Sequence, residues 1–81
     1  VSEVFKSPRH EALRRLLREK RLLAELTQRD LAALLGRSQS FISDVEKGQY
    51  RVTVVEFLEI AEAIGFNPAV ALRRVAKAAK R

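Results

Sequence analysis

The chain contains no cysteine, no methionine and no tryptophan, and only one histidine, one tyrosine and two prolines among its 81 residues. Without cysteine there is no disulfide framework of the kind that staples small secreted domains, and no thiolate for nucleophilic or metal chemistry. The single histidine, His10, provides neither a metal-ligand set nor a His-based acid–base pair, and no carboxylate pair is backed by a domain large enough to enclose a pocket. Neither an enzyme nor a metal or cofactor is therefore expected. No stretch approaches the ~18 consecutive apolar residues that cross a bilayer, so no membrane partner is expected either. The first residues also lack the apolar run of a signal peptide, and the reading is a cytoplasmic protein. The absence of methionine means that the initiator has been removed or that the chain is a fragment.

What remains is an ordinary globular composition with a strong bias of charge. Hydrophobic residues make up 47% and charged residues 32%, which argues against disorder, and 81 residues supply apolar surface for one core. Sixteen lysines and arginines against ten acids give a net charge of +6 and a pI near 10.5, a balance suited to a polyanionic partner. Such a charge also serves solubility, so the positions of the basic residues must decide. Four phenylalanines and one tyrosine offer no stacking platform for single-stranded RNA.

Local signals divide the single domain into an N-terminal arm at 1–7, a core at 8–66 and a basic C-terminal helix at 67–81, all-α with five helices. Ser7 and Pro8 read as N-cap and first residue of a helix reaching Ala24, with Leu13, Leu16, Leu17 and Leu23 at helical spacing. No glycine closes it, and Glu25 and Leu26 form a connection whose backbone stays open at this stage. Thr27, with Asp30 three residues on, caps a short second helix over 28–35. Gly36 supplies a turn, Ser38 caps a third helix, and Gly48 ends that helix after Lys47. Thr53 and Glu56 repeat the capping-box spacing ahead of Phe57, Ile60, Ala61 and Ile64, one helical stripe that closes at Gly65. Glu56, Glu59 and Glu62 step along the outer side of this fourth helix as a solvated face. Asn67 and Pro68 start the fifth helix, expected to bury Leu72, Val75 and Ala79 and to show Arg73, Arg74, Lys77, Lys80 and Arg81.

The stretch 28–48 is the informative one: a short helix, a glycine turn, and a second short helix whose polar residues cluster at its start. Leu31 and Leu35 anchor the first of these helices, and small Ala32 permits a close crossing. Ile42 and Val45 anchor the second. That phase turns Gln39, Ser40, Ser43 and Asp44 outward, and a B-DNA major groove is wide enough to admit one such helix.

These residues resemble the Xre family of helix-turn-helix proteins, which includes phage repressors and Cro. Leu26-Thr27-Gln28-Arg29-Asp30-Leu31-Ala32 is similar to the family's "LTQ-x-E-L-A" opening, Leu35-Gly36 to its turn, and 42–48 to its "I-x-x-x-E-x-G" close. The resemblance extends to Gly65 and implies a five-helix, lambda-repressor-like domain whose partner is double-stranded DNA, bound as a homodimer. It implies that Gln28 contacts a phosphate at the start of helix two. Gln39 becomes the leading base reader, because a carboxamide donates and accepts together on adenine. Ser40, Ser43 and Asp44 follow as further base contacts, and Arg37, Ser38, Lys47, Tyr50 and Arg51 as phosphate contacts on either side of the reading helix. Arg21 and Glu46 match a structural ion pair of the family.

Two residues depart from the family's pattern. Asp44 stands where relatives often carry Gln, Lys or Arg; its charge is repelled by nearby phosphates, and it either accepts from cytosine N4 or serves to reject most sequences. Glu25 stands where relatives have glycine, which implies strain or a different exit from helix one. The rival to a DNA reader is an antitoxin-like interaction module that holds a protein partner on helix five, with DNA binding secondary or lost.

Overall fold

Each helix begins where a side chain can accept the amides that an α-helix leaves without partners at its start. The computed structural model describes residues 7–78 and contains α1 (Pro8–Leu23), α2 (Gln28–Leu35), α3 (Gln39–Lys47), α4 (Val54–Ile64) and α5 (Pro68–Lys77). Ser7, Thr27, Ser38, Thr53 and Asn67 are the N-caps, each accepting from an amide of the first turn. Thr27 with Asp30 and Thr53 with Glu56 form complete capping boxes, in which the acid also accepts from the cap residue's own amide. The helices expected from the sequence are all present, and no strand occurs among the described residues. The expected exposures of Lys80 and Arg81 and burial of Ala79 lie outside the described residues.

The ends of α1 and α2 share one hydrogen-bond pattern. The Gly36 amide donates to the Ala33 carbonyl and the Arg37 amide to Ala32, a Schellman closure that requires a left-handed residue, and Gly36 has φ +66°. In α1 the Glu25 amide donates to Leu22 and the Leu26 amide to Arg21, the same closure, with Glu25 at φ +62°. Glu25 is thus a glycine position held by a residue with a Cβ, and the strain expected at the exit of helix one is located there.

The five helices share one core. α3 packs against both α1 and α2, α4 against α2 and α5, and α5 returns to α1. Leu16, Ile42 and Ile60 are fully enclosed at the centre, with Leu17, Leu31, Ala32, Phe41, Val45, Phe57 and Ala61 buried around them. Two expectations are corrected. Leu23 is exposed, because Arg21 occupies the inward position at that level of α1. In α5, packing against α1 and α4 points Ala71 into the core and half-buries Val75 four residues later; Leu72, about 100° further round, is exposed.

Replacing Glu25 by glycine is expected to stabilise the domain. Relief of a left-handed non-glycine residue is worth about 1–3 kcal/mol, and the added freedom of the unfolded chain returns about 0.4–1. A net gain of about 1 kcal/mol raises the thermal midpoint by about 4–8 °C for a domain of this size. Thermal melting followed by circular dichroism checks this, and an unchanged or lowered midpoint contradicts it.

Candidate nucleic-acid interface

An acid in the last turn of a helix opposes the helix dipole, so Glu46 near the C-terminus of α3 needs a compensating reason. Arg21 of α1 supplies it. Its Nε donates to Glu46 Oε2 at 2.6 Å and its NH2 to Oε1 at 3.0 Å, while NH1 donates to the Leu26 carbonyl at 2.8 Å. Both side chains are buried. A fork-to-carboxylate pair removed from water is fixed in direction as well as distance, so one guanidinium ties together α1, the 24–27 connection and the end of α3. Arg14 reinforces the joint by donating to the Glu46 backbone carbonyl at 3.0 Å.

The pair is continued outward by two carboxamides. Gln28, the first residue of α2, donates from Nε2 to Glu46 Oε1 at 3.0 Å, and Gln39, the first residue of α3, donates from Nε2 to Gln28 Oε1 at 3.4 Å. The sequence nominated Gln28, Gln39, Arg21 and Glu46 separately, and the fold brings them into one chain that runs from the buried ion pair to the surface. This has a chemical consequence for Gln39. One of its two N–H groups is committed to Gln28, leaving one donor and the carbonyl oxygen, the pair that the N7 and N6 edge of adenine requires. Ser40 is exposed beside it; Ser43 and Asp44 are half-buried one turn further along.

A second carboxylate organises the other side of α3. Glu56 accepts from the Thr53 amide at 2.9 Å, from the Tyr50 hydroxyl at 2.6 Å and from Arg37 NH1 at 3.3 Å. The Arg37 guanidinium also lies over the Phe41 ring, 3.7 Å from its centroid, and Phe41 meets Tyr50 edge to face. The turn before α3 and the loop after it are thereby pinned to the start of α4. The sequence reading of Glu56 as a solvated outer residue is corrected: these donors, the Thr53 amide foremost, hold its carboxyl down to about 2 from an ordinary 4.5. Tyr50, nominated as a phosphate donor, gives its one hydroxyl hydrogen to Glu56. Lys47 and Arg51 are exposed on the α3 and loop surface, and Ser38 is engaged as the α3 cap through its oxygen.

A short helix whose amide end carries Gln28, a left-handed glycine turn and a second helix presenting polar side chains at its start define a helix-turn-helix module. Comparison with known proteins agrees. A family model described as a helix-turn-helix domain matches residues 12–79. The chain is 41% identical over 53 residues to the uncharacterized HTH-type transcriptional regulator y4dJ of Sinorhizobium fredii, a match covering 65% of this chain and 64% of that relative's length. Among solved structures it is similar to an XRE-family like protein from Pseudomonas syringae pv. tomato, with 43% identity and a TM-score of 0.79 over 84% of this chain and 83% of that one. The clp gene regulator ClgR from C. glutamicum superposes with 29% identity and a TM-score of 0.77 over 84% of this chain and 88% of the other. The restriction-modification controller protein C.AhdI from Aeromonas hydrophila does so with 36% identity and a TM-score of 0.65 over 75% and 86%. The chain belongs to the helix-turn-helix domain family in its Xre branch, a family of DNA-binding transcriptional regulators and not of enzymes.

Removing one partner of the buried pair strands the other, so Glu46→Ala is expected to cost about 3–5 kcal/mol of stability in urea unfolding. The double variant Arg21→Met, Glu46→Leu replaces charge by packing and is expected to recover most of that loss. A double variant no more stable than Glu46→Ala would show that the pair's geometry, and not its stranded charge, dominates. The depressed Glu56 carboxyl contributes stability that is complete above pH 4.5 and is lost as pH falls toward 2. Glu56→Gln is therefore expected to lower stability at neutral pH and to flatten the acid limb of the stability profile between those values, measured by denaturation across pH.

Proposed function

We propose that the chain acts as a cytoplasmic transcriptional repressor that reads an inverted-repeat operator as a homodimer, each copy laying α3 into one major groove. The observation that carries this reading is the relay from the Arg21–Glu46 pair through Gln28 to Gln39. It orients a base-reading carboxamide at the exposed start of α3 and leaves free the donor and acceptor that adenine demands. Ser40 and Ser43 supply less selective contacts, and Asp44 accepts from cytosine N4. Gln28 meets a phosphate at the positive end of α2, where the first amides of the helix favour an anion. Ser38 and Arg37 before α3, with Lys47 and Arg51 after its readers, grip backbone on the two sides, and Tyr50 contributes by holding the loop in place through Glu56.

The family's regulators act on duplex DNA, and the net charge of +6 suits that polyanion. Two-fold use of one α3 requires half-sites ~34–36 Å apart, and repression follows from occupying the operator. A protein partner held on α5 finds no comparable support: Ala71 and Val75 serve this chain's own core, and the exposed Val70 and Leu72 come with nothing that identifies an occupant. No helix among the described residues is long and apolar enough to cross a membrane.

Selection of bound sequences from a random duplex pool at near-physiological salt tests the reading. A palindrome is expected, and Gln39→Ala is expected to relax one symmetric position and weaken the selected site by about 1–3 kcal/mol. Lys47→Ala is expected to weaken selected and random duplexes alike and to reduce the slope of log K against log salt by about 0.9. The absence of any enriched sequence would overturn the proposal, and identical behaviour of the two variants on both duplexes would overturn the division into base readers and backbone contacts.

A further inference from the structure

The reading helix has a neighbour that the sequence treated only as a packing element. α1 runs beside α3, and an open groove of about 710 Å³ lies between them. One side is made by Ser43, Glu46 and Lys47 of α3 together with Gln28, within or beside the DNA face proposed above; the other is made by α1, where Arg14, Arg15 and Arg18 are followed by Glu19 and the apolar Leu22 and Leu23. The groove is therefore continuous with the proposed DNA face and carries a row of guanidiniums along its far side.

The balance of charge inside it is positive. Its carboxylates have closer cationic partners directed elsewhere: Glu46 is held by Arg21 at 2.6 Å, and Glu19 by Arg74 of α5 at 2.7 Å. Glu11, at the head of the same helix, is held by Arg14 at 2.7 Å. Arg15 stands 3.6 Å from Glu11 and Arg18 stands 3.9 Å from Glu46, with 73% and 60% of these arginine side chains in solvent. With exposed Lys47 opposite them, they form a basic channel whose acids are already neutralised.

We propose that this α1–α3 groove is a second backbone channel, in which Arg15 and Arg18 hold successive phosphates of the DNA strand that runs past the base pairs read by α3. The inference rests on the DNA reading above and extends its footprint on the α1 side. Residues three apart on a helix share one face, with Cβ atoms about 5–6 Å apart, so Arg15 and Arg18 project side by side toward one strand. A guanidinium fork matches a phosphate in two directions at once. These contacts carry no sequence preference, so they add affinity and salt sensitivity around a site chosen by α3.

The test uses the full chain and the duplex obtained by selection. Phosphate ethylation interference on the wild type is expected to mark phosphates outside the base-read segment, and Arg15→Ala, Arg18→Ala is expected to erase those marks while leaving the base pattern intact. The same double variant is expected to reduce the slope of log K against log salt by about 1.8, two phosphates at about 0.9 each. Arg15→Lys, Arg18→Lys is expected to keep most of that slope, and a thermal melt confirms that these exposed substitutions leave the fold in place. If the alanine variant retains the wild-type interference pattern and slope, the groove does not hold backbone and this inference is overturned while the DNA reading stands. If the wild type selects no duplex, the DNA reading fails and the channel fails with it.

Discussion

The Arg21–Glu46 pair is the constraint on which the remainder of the interface depends. Both groups are removed from water, at a desolvation cost that only close, doubly bonded geometry offsets. Because the fork of Arg21 also reaches the Leu26 carbonyl, the pair fixes how the chain leaves α1 and where α2 starts. Because the second oxygen of Glu46 accepts from Gln28, the pair also fixes a side chain at the protein surface. A core hydrocarbon at position 46 could fill the volume but could not aim Gln28, and through it Gln39. This gives a physical reason for an acid near the unfavourable end of α3.

Glu56 plays the corresponding part on the other flank, where one carboxylate collects a backbone amide, a phenol and a guanidinium from three segments. The two hubs hold α3 from opposite sides: one through its C-terminal turn, the other through Arg37 before it and Tyr50 after it. α3 is short, nine residues, and has little intrinsic stability alone. Its precise placement comes from Phe41, Ile42 and Val45 in the core and from these two polar anchors. Arg37, one of the proposed backbone contacts, is itself held by a carboxylate set behind it.

Much of the fold was legible in the sequence, for a local reason. N-caps, capping boxes and left-handed closures act within four residues, so Thr27 with Asp30, Thr53 with Glu56, and the glycines at 36, 48 and 65 marked helix limits without reference to the rest of the chain. The apolar stripe of α4 was equally plain. The phase of α5 was not, since an alanine-rich helix offers several narrow apolar faces and only contact with α1 and α4 selects Ala71 over Leu72. Glu56 was read as solvated because the capping spacing is visible in sequence while its Tyr50 and Arg37 donors converge only in three dimensions. Arg15 and Arg18 were passed over because an amphipathic helix with a basic side looks the same whether that side faces bulk solvent or the reading helix.

By itself, then, the sequence determined five helices, their boundaries, a helix-turn-helix at 28–48 and the identity of the residues at the start of α3, all set by signals that operate within a few positions. Its resemblance to the family also flagged Glu25, where relatives have glycine, as a point of strain or of a different exit from α1; the backbone then placed it at φ +62°. Tertiary structure alone decided which polar groups meet: that Glu46 lies between Arg21 and Gln28, that Gln39 joins the same chain, and that α1 lines a basic groove beside α3. Such pairings span 18 to 25 residues of sequence in the case of Glu46, and no local propensity encodes them. They follow from the crossing of α1 and α3, which the buried contacts of Leu16, Leu17, Ile42 and Val45 establish.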